Sequence, residues 1–206
     1  MRIVVLGAAG RTGRVTVAEL LRRGHELVAV VRDPERAGLP GEVTLVVGDV
    51  RSAEVLEQAV PGADAVVSAL GPGPDAPRLH GEVAPVLRAV MAKHNVRRYV
   101  GVSGAGLTVP GDRKSVRDRV FSALMSRLPM VLDKAAEYQV WAGSGIRWTL
   151  VRPPRLNDEP AEGRVEHHAH ASPRRTALSR ADLALFLVDV TEDDLYLEQA
   201  PLVAAR

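Results

Sequence analysis

The chain opens on Gly7-Ala8-Ala9-Gly10-Arg11-Thr12-Gly13, a glycine-rich turn that follows the apolar run Ile3-Val4-Val5-Leu6 and leads into an amphipathic helix pattern. A buried strand, a glycine turn and a helix N-terminus form an anion site, because backbone N–H groups and the helix dipole favour negative charge there. In this spacing Gly7 permits the tight turn, Gly10 lets a pyrophosphate approach, and Gly13 lets the helix pack against the strand. The stretch therefore predicts that the chain binds a dinucleotide.

Length and composition predict one domain, residues 1–206. The chain is 46% hydrophobic and 25% charged, which is typical of a globular protein. No apolar run approaches the roughly 18 residues that cross a bilayer, and the N-terminus enters a strand without a signal-peptide pattern. We therefore expect a cytoplasmic protein. The absence of cysteine excludes disulfides, thiolate catalysis and cysteine-based metal sites.

We expect a small-molecule substrate and no nucleic-acid or membrane partner, and the charge pattern is the evidence against nucleic acid. The net charge is only +2, and the densest basic cluster, Arg113-Lys114 with Arg117 and Arg119, is interrupted by Asp112 and Asp118. This pattern favours a solvated helix face over a nucleic-acid patch. Aromatic residues make up only 3% of the chain, which argues against base stacking. We expect a monomer or a homodimer.

Strand and helix patterns alternate along the whole chain. This alternation predicts a doubly wound parallel α/β sheet, the Rossmann fold, with a small C-terminal substrate-side lobe. We expect the substrate side to be built from about residues 104–129 and 154–178. A short strand is predicted near Val165 and a final one at 195–197. The main strands are predicted at 3–6, 27–31, 43–47, 64–69, 98–102 and 147–151.

The position after the second strand selects between two cofactors. An acidic residue roughly 20 residues beyond the glycine turn accepts from a ribose 2′-hydroxyl, whereas an arginine accommodates a 2′-phosphate. Arg32 comes first here, and Asp33 before Pro34 is explained as a helix N-cap. The sequence therefore favours NADP(H) over NAD(H).

Two later strand ends are expected to face the same ligand. Asp49 and Val50 follow the third strand, and two interpretations of Asp49 stay open: a hydrogen bond to the adenine amino group with Val50 on the ring, or a turn aspartate. Ala69-Leu70-Gly71 and the turn Pro72-Gly73-Pro74 follow the fourth strand. They are predicted to pass over the ribose and nicotinamide side, where small residues permit close approach.

The histidines are predicted to have no catalytic or metal-binding role. His80 and His94 stand at the two ends of a helix with an apolar core stripe, and we expect both on the surface. In the run His167-His168-x-His170, alternation would place two imidazoles on one strand face, but a zinc site needs a further ligand. No metal is expected.

Three separated segments carry a resemblance to a known family. Together they resemble the atypical short-chain dehydrogenase/reductases, and more narrowly the NmrA-like and biliverdin-reductase-B or flavin-reductase-like proteins. The resemblance covers essentially the whole chain and is specific for fold and for dinucleotide binding, but not for substrate. The segments are Gly7–Gly13, Ser144-Gly145-Ile146-Arg147-Trp148-Thr149-Leu150-Val151-Arg152-Pro153 and Ser179-Arg180-Ala181-Asp182-Leu183-Ala184.

The resemblance implies a set of cofactor contacts. Arg32 meets the 2′-phosphate, Asp49-Val50 the adenine and Ala69-Leu70-Gly71 the ribose, while Ser103 and Pro153 flank the nicotinamide. The pyrophosphate contacts that it implies are Gly7, Ala9, Gly10, Arg11, Thr12 and Gly13.

The chain departs from the family at its catalytic pair. The standard enzymes carry Tyr-x-x-x-Lys, but with Lys134 in the lysine position the tyrosine position holds Met130, which exchanges no proton. Relatives without that tyrosine pass hydride directly to a flat, electron-poor acceptor, which needs orientation more than a strong acid.

The proton source therefore stays open at this point. Ser103 either binds a substrate oxygen or caps the loop after its strand. Lys134 orients the nicotinamide ribose, stabilises negative charge, or is a solvent-exposed lysine paired with Asp133 or Glu137. Tyr138, on the same helical face as Lys134, could form a reversed pair or pack in the core, and water is a further donor.

These patterns predict an NADPH-dependent reductase of a small aromatic, quinone, flavin or enone acceptor, with Ser103 and Lys134 as the candidate catalytic residues. Two alternatives stay open. One is an NADP(H)-sensing regulatory protein of the NmrA-like kind, and the other is a non-redox isomerase or epimerase with bound cofactor.

Overall fold

The computed structural model describes residues 1–71 and 76–206, and its core is a six-stranded parallel sheet. The strand order β3-β2-β1-β4-β5-β6 confirms the predicted doubly wound Rossmann architecture. The turn Pro72-Gly73-Pro74 lies outside the described residues. The six strands are β1 (Arg2–Leu6), β2 (Glu26–Val31), β3 (Thr44–Val47), β4 (Ala65–Ser68), β5 (Arg98–Val102) and β6 (Arg147–Val151).

Helices cover both faces of the sheet. Alternate residues of β1 point to opposite faces: Val4 and Leu6 belong to one buried apolar cluster, and Ile3 and Val5 to the other. This two-sided burial explains why the strands are apolar without interruption. The helices are α1 (Arg11–Arg22), α2 (Pro34–Ala37), α3 (Ala53–Ala59), α4 (Leu79–Lys93), α5 (Val116–Met125), α6 (Pro129–Trp141) and α7 (Arg180–Glu192).

α1 and α7 pack on one face of the sheet, and α3, α4 and α6 on the other. In the two described ranges, no helix combines the length and the hydrophobicity that crossing a membrane requires.

Short strands accompany the later part of the chain. The predicted strand near Val165 is confirmed as β8, which pairs antiparallel with β10, while β7 and β9 pair in parallel. The final strand predicted at 195–197 is wrong, because Tyr196 has a left-handed backbone with φ of 56° and lies in a turn. These strands are β7 (Arg155–Asn157), β8 (Val165–His168), β9 (Ala177–Ser179) and β10 (Leu202–Ala205).

Side-chain caps fix the helix starts that the sequence predicted. The Asp33 carboxylate accepts from the backbone N–H of Arg36, with Pro34 in the first turn of α2. The Ser179 hydroxyl accepts from the backbone N–H of Asp182 at the start of α7. The N-cap prediction for Asp33 is confirmed.

The glycine turn brings α1 into close contact with the end of β1. Gly7 has a φ of +74°, and a β-carbon there would lie 2.8 Å from the backbone of Ala69 and Leu70. A β-carbon on Gly13 would lie 2.1 Å from the carbonyl oxygen of Gly7. The predicted close packing of this helix on the strand is confirmed.

Adding a methyl group at Gly13 should force α1 away from β1. We expect Gly13→Ala to lower the free energy of unfolding by about 1–3 kcal/mol, the usual cost of overpacking. Gly41 is the matched control, because a β-carbon there meets nothing within 4 Å. Urea unfolding of the two variants measures the difference, and equal stabilities would contradict the packing argument.

Candidate functional site

The loops after β1, β2, β3 and β4 enclose a cleft of about 300 Å³. It lies at the carboxyl ends of the strands, next to the β1–β4 pair where the strand order reverses, which is the usual ligand position in this architecture. The predicted cofactor residues that line the cleft are Gly7, Ala9, Gly10, Arg32, Asp49, Val50, Ala69, Leu70 and Gly71. The structure therefore brings together residues from four separate segments.

The start of α1 fits a pyrophosphate. Gly10 precedes the helix in an extended conformation, and within the described residues no side chain caps this end. Its first turn also carries no acidic residue, so the backbone N–H groups and the helix dipole are available to an anion. Arg11 and Thr12 begin the helix outside the cleft lining, and Arg11 lies 3.6 Å from Asp158 on the surface.

Arg51 is a cleft residue that sequence reasoning missed. Its guanidinium lies 2.6 Å from the Asp49 carboxylate, and its backbone N–H also donates to that carboxylate. These hydrogen bonds lower the pKa of Asp49 to about 2, so the carboxylate is ionised at neutral pH. The turn interpretation of Asp49 is supported, and the adenine contact stays a prediction. The spacing Asp49-x-Arg51 directly after a strand was the available signal.

Two arginines face the cleft, but they differ in their partners. Arg51 lies between Asp49 and Glu82, whose carboxylate is 3.5 Å from its guanidinium. Arg32 is exposed, and within residues 1–71 and 76–206 it forms no ion pair within 4.0 Å. Arg32 therefore has the guanidinium that is free to meet an incoming phosphate.

Ser103 and Pro153 lie together at the ends of the neighbouring strands β5 and β6. The backbone N–H of Ser103 donates to Val151 over 2.7 Å, and Ala105 donates to the Pro153 carbonyl over 2.9 Å. The Ser103 hydroxyl is buried and has no hydrogen-bond partner among the described residues. It does not cap its loop there, and a buried hydroxyl without a partner is costly, which suits a ligand contact.

Lys134 is not the solvent-exposed lysine that one interpretation predicted. It is 8% exposed, its Nζ donates to the Val102 carbonyl over 3.1 Å, and Nζ lies 3.4 Å from Nε2 of His80. Burial lowers the pKa of Lys134, although Glu137 and Asp133 oppose that effect. The Lys134 side chain therefore reaches the carboxyl end of β5, next to Ser103.

His80 is buried, which corrects the prediction that it lies on the surface. The cause is Asp133 of α6, whose carboxylate accepts from the backbone N–H groups of His80 and Gly81 over 3.0 and 2.7 Å. This contact fixes the start of α4 against α6 and turns the imidazole inward. His94, at the other end of α4, is half-buried and contacts Glu57.

Glu137 is the carboxylate beside His80. Its Oε2 lies 3.2 Å from His80 Nδ1, at an angle unfavourable for a hydrogen bond, and its Oε1 accepts from the Tyr99 hydroxyl over 2.7 Å. Burial favours a raised pKa for Glu137, but His80, Lys134 and Tyr99 outweigh it, so the pKa falls below its ordinary value. The sequence analysis named Glu137 only as a surface partner of Lys134, and its contact with His80 of α4 was not predicted.

Tyr138 packs in the core. Its ring meets Trp148 edge-on with 5.7 Å between centroids, and it lies against the apolar cluster on that face of the sheet. The core-packing interpretation is supported over the reversed pair with Lys134.

Arg152 joins the two segments that we expect on the substrate side. Its guanidinium is fully buried and donates to both oxygens of Asp112, over 2.6 and 2.8 Å. It also donates to the carbonyls of Leu107 and Ala169. Residues from 107–112 and from 169 are therefore held by one side chain at the end of β6.

Lys114 is buried as well, so the predicted solvated basic face is wrong at this position. Its ammonium donates to the carbonyls of Ala105 and Leu107 and to the Ser122 hydroxyl. Burial lowers the pKa of Lys114 to about 8. The lysine ties the loop after β5 to α5, while Arg117 stays exposed.

The histidine run near β8 makes local contacts. His168 Nδ1 accepts from the backbone N–H groups of His170 and Ala171, and His167 contacts the Tyr196 hydroxyl. β8 ends at His168, so His170 does not share its strand face. Within the described ranges, no cluster of three or more histidine, aspartate or glutamate residues is arranged to hold a metal ion.

Comparisons with known proteins show the family of the chain. A family model described as NAD(P)H-binding matches residues 7–194. The uncharacterised protein YwnB of Bacillus subtilis is 31% identical over 117 residues, which cover 57% of this chain and 54% of YwnB. The chain thus spans about half the length of this curated relative.

Solved structures share the fold over almost the whole chain. A short-chain dehydrogenase/reductase from Veillonella parvula in complex with NADP has a TM-score of 0.81 at 22% identity, covering 98% of this chain and 94% of that one. A protein from Streptococcus pneumoniae assigned as an NADH-flavin reductase has a TM-score of 0.81 at 24% identity, covering 100% of both chains. At these identities the likeness concerns the fold alone.

Removing the Asp112 carboxylate leaves the Arg152 charge buried without its partner. We expect Asp112→Ala to lower the free energy of unfolding by about 3–5 kcal/mol, the cost of breaking a buried ion pair. The control is Glu26→Ala, which removes an exposed carboxylate 3.2 Å from Arg2 and should cost under about 1 kcal/mol. Urea unfolding compares them, and a similar small loss in both would show that Arg152 does not depend on Asp112.

Proposed function

Because the chain belongs to the NAD(P)H-binding family, we propose that it is an NADPH-dependent reductase that passes hydride to a small aromatic, quinone, flavin or enone acceptor. One observation carries this proposal: a single cleft joins the start of α1, the guanidinium of Arg32 and the loop after β4, and among the described residues no side chain caps that helix start and no carboxylate pairs with Arg32. When bound, the dihydronicotinamide supplies the hydride, and the protein supplies orientation and charge.

The preference for NADPH rests on Arg32. A guanidinium binds a phosphate through two parallel charge-assisted hydrogen bonds, and Arg32 stands where the ribose of the bound cofactor is expected. Arg51 is a second cation in the same cleft, but Asp49 and Glu82 offset its charge. Arg32 therefore selects the phosphorylated cofactor in this proposal.

In this proposal, Ser103 and Lys134 are the residues that act on the acceptor. Met130, in the tyrosine position of the family, is 44% exposed and has no proton to give. We assign to Ser103 a hydrogen bond to an acceptor oxygen, and to Lys134 the proton that neutralises the reduced acceptor. Residues 104–129 and 154–178 would cover the acceptor. The cytoplasmic location and the organisation as one domain stay predictions.

A second candidate function is an NADP(H)-dependent binding protein that contacts a partner protein. The observation that favours it is an exposed apolar stripe on α5, where Val116, Val120 and Leu124 are 67%, 64% and 78% exposed. Tight binding of NADPH without oxidation by any acceptor of the proposed classes would favour this function over the reductase.

Removing the Arg32 guanidinium should weaken NADPH binding selectively. We expect Arg32→Ala to lose about 1–3 kcal/mol of NADPH affinity, because a charge-assisted phosphate contact is lost, with little change for NADH. Calorimetry with both cofactors measures this. Arg36→Ala is the control, since that arginine is exposed and pairs with Asp33. An equal loss for NADPH and NADH would rule out phosphate selection by Arg32.

The rate of NADPH oxidation should depend on Lys134. We expect wild-type protein to oxidise NADPH with a quinone or flavin, and Lys134→Met to slow the reaction about 100-fold, the usual contribution of a general acid. Lys93→Met, a surface change, is the control.

The burial of Lys134 predicts how the rate of the same reaction depends on pH. Lysine donates a proton only as its charged ammonium ion, so the rate should fall as pH rises through the pKa of Lys134, which lies below the ordinary 10.5 of lysine. Absorbance of NADPH across a pH series measures this. A rate that is unchanged in Lys134→Met at every pH would remove this lysine from the mechanism.

A further inference from the structure

A cluster of five buried polar side chains, Lys134 among them, lies between α4, α6 and β5. It comprises His80, Tyr99, Asp133, Lys134 and Glu137, and none of them is more than 8% exposed. Burying two carboxylates and an ammonium is costly unless each is partnered. The partners within the cluster therefore indicate what the arrangement does.

The contacts connect Tyr99 on β5 to Lys134 through Glu137 and His80. The Tyr99 hydroxyl donates to Oε1 of Glu137 over 2.7 Å, Oε2 of Glu137 lies 3.2 Å from Nδ1 of His80, and Nε2 of His80 lies 3.4 Å from Nζ of Lys134. The hydrogen-bond angle is unfavourable, but the negative charge of Glu137 at 3.2 Å from Nδ1 favours the tautomer that carries its proton there. Nε2 then presents its lone pair to the ammonium, which has only donors.

Two of the three N–H groups of the Lys134 ammonium are accounted for. One faces His80 Nε2 and another donates to the Val102 carbonyl over 3.1 Å. The third has no acceptor among the described residues, and the ammonium lies at the carboxyl end of β5, next to Ser103, whose buried hydroxyl has no partner among those residues. The ammonium is thus held at two points and free at the third.

Of the two carboxylates in the cluster, Glu137 is the one that acts on Lys134 through His80. The Asp133 carboxylate is bound by two backbone N–H groups at the start of α4. Burial and the nearby Glu137 raise the pKa of Tyr99, so its hydroxyl stays a donor. Glu137 keeps its charge because the contacts around it favour the ionised form.

We propose that Glu137 and His80 are positioning residues that hold Lys134 protonated and directed at the acceptor, so that this lysine replaces the tyrosine that the chain lacks. The proposal rests on the proposed reductase function. In the step concerned, the acceptor has gained two electrons as hydride from NADPH. An N–H bond of the Lys134 ammonium then breaks as an O–H or N–H bond forms on the acceptor, and the neutral amine regains a proton from water.

The chain contains only three lysines, Lys93, Lys114 and Lys134, which allows each ammonium group to be followed by NMR. With ¹³Cε-labelled lysine and no cofactor, we expect Glu137→Gln and His80→Leu to lower the pH at which Lys134 titrates. Lys93 and Lys114 should titrate as in wild type. ¹⁵N shifts of the wild-type imidazole should show His80 protonated at Nδ1 and not at Nε2, a result that needs no variant to fold.

Kinetics separate positioning from a structural role. With a quinone as acceptor, His80→Leu and Glu137→Gln should slow NADPH oxidation about tenfold or more and move the alkaline fall in rate to lower pH. His80→Gln should restore most of the rate, because its amide donates to Glu137 and its oxygen accepts from Lys134. His94→Gln is the matched control, since it alters a histidine–glutamate contact at the far end of α4.

Each outcome decides between defined alternatives. An Nε2-protonated His80 in wild type, or a Lys134 titration that stays unmoved in both Glu137→Gln and His80→Leu, overturns the proposal. It is also overturned if His80→Leu retains the wild-type rate and pH profile. If the titration moves as expected but no acceptor oxidises NADPH, the reductase function fails while the contacts that hold Lys134 are established.

Discussion

The contact between α1 and the end of β1 is the constraint on which the cleft depends. Gly13 lets the helix approach until its backbone touches the Gly7 carbonyl, and Gly7 in turn lies against the backbone of Ala69 and Leu70. These two contacts fix the helix start, the glycine turn and the loop after β4 relative to one another. The N–H groups that suit a pyrophosphate are therefore held in place by backbone packing, and the Arg14 side chain adds a hydrogen bond from its Nε to the Ala9 carbonyl over 3.0 Å.

Local patterns predicted the sheet because each strand is apolar throughout and each turn has its own chemistry. Ile3 to Leu6 must be buried on both faces, and that alone implies helices on both sides of a parallel sheet. The Asp33-Pro34 cap was equally predictable, since an aspartate before a proline has few other uses at a helix start. The prediction of a strand at 195–197 was wrong because the apolar residues there give no sign of the left-handed turn that they form.

The polar interior could not be predicted, because its members come from distant parts of the chain. His80 looked like a surface residue at the end of a helix, but Asp133, 53 residues later, binds its backbone N–H, and Glu137 lies beside its buried imidazole. Lys114 looked like part of a basic face, but it satisfies carbonyl groups of the loop after β5. The burial of such residues can be predicted only when their partners are known, since a charged side chain is costly to bury without a partner.

The contacts of the Arg152 side chain limit the movement of the loops at the end of β6. Its guanidinium holds Leu107, Asp112 and Ala169 at once, and the side chains of Arg152 and Asp112 are both buried. The loops on either side of the β6 terminus are thus coupled mechanically, so one cannot swing outward while the other stays seated. A rearrangement of residues 107–112 would then require residue 169 to move with them, or the contacts of Arg152 to break.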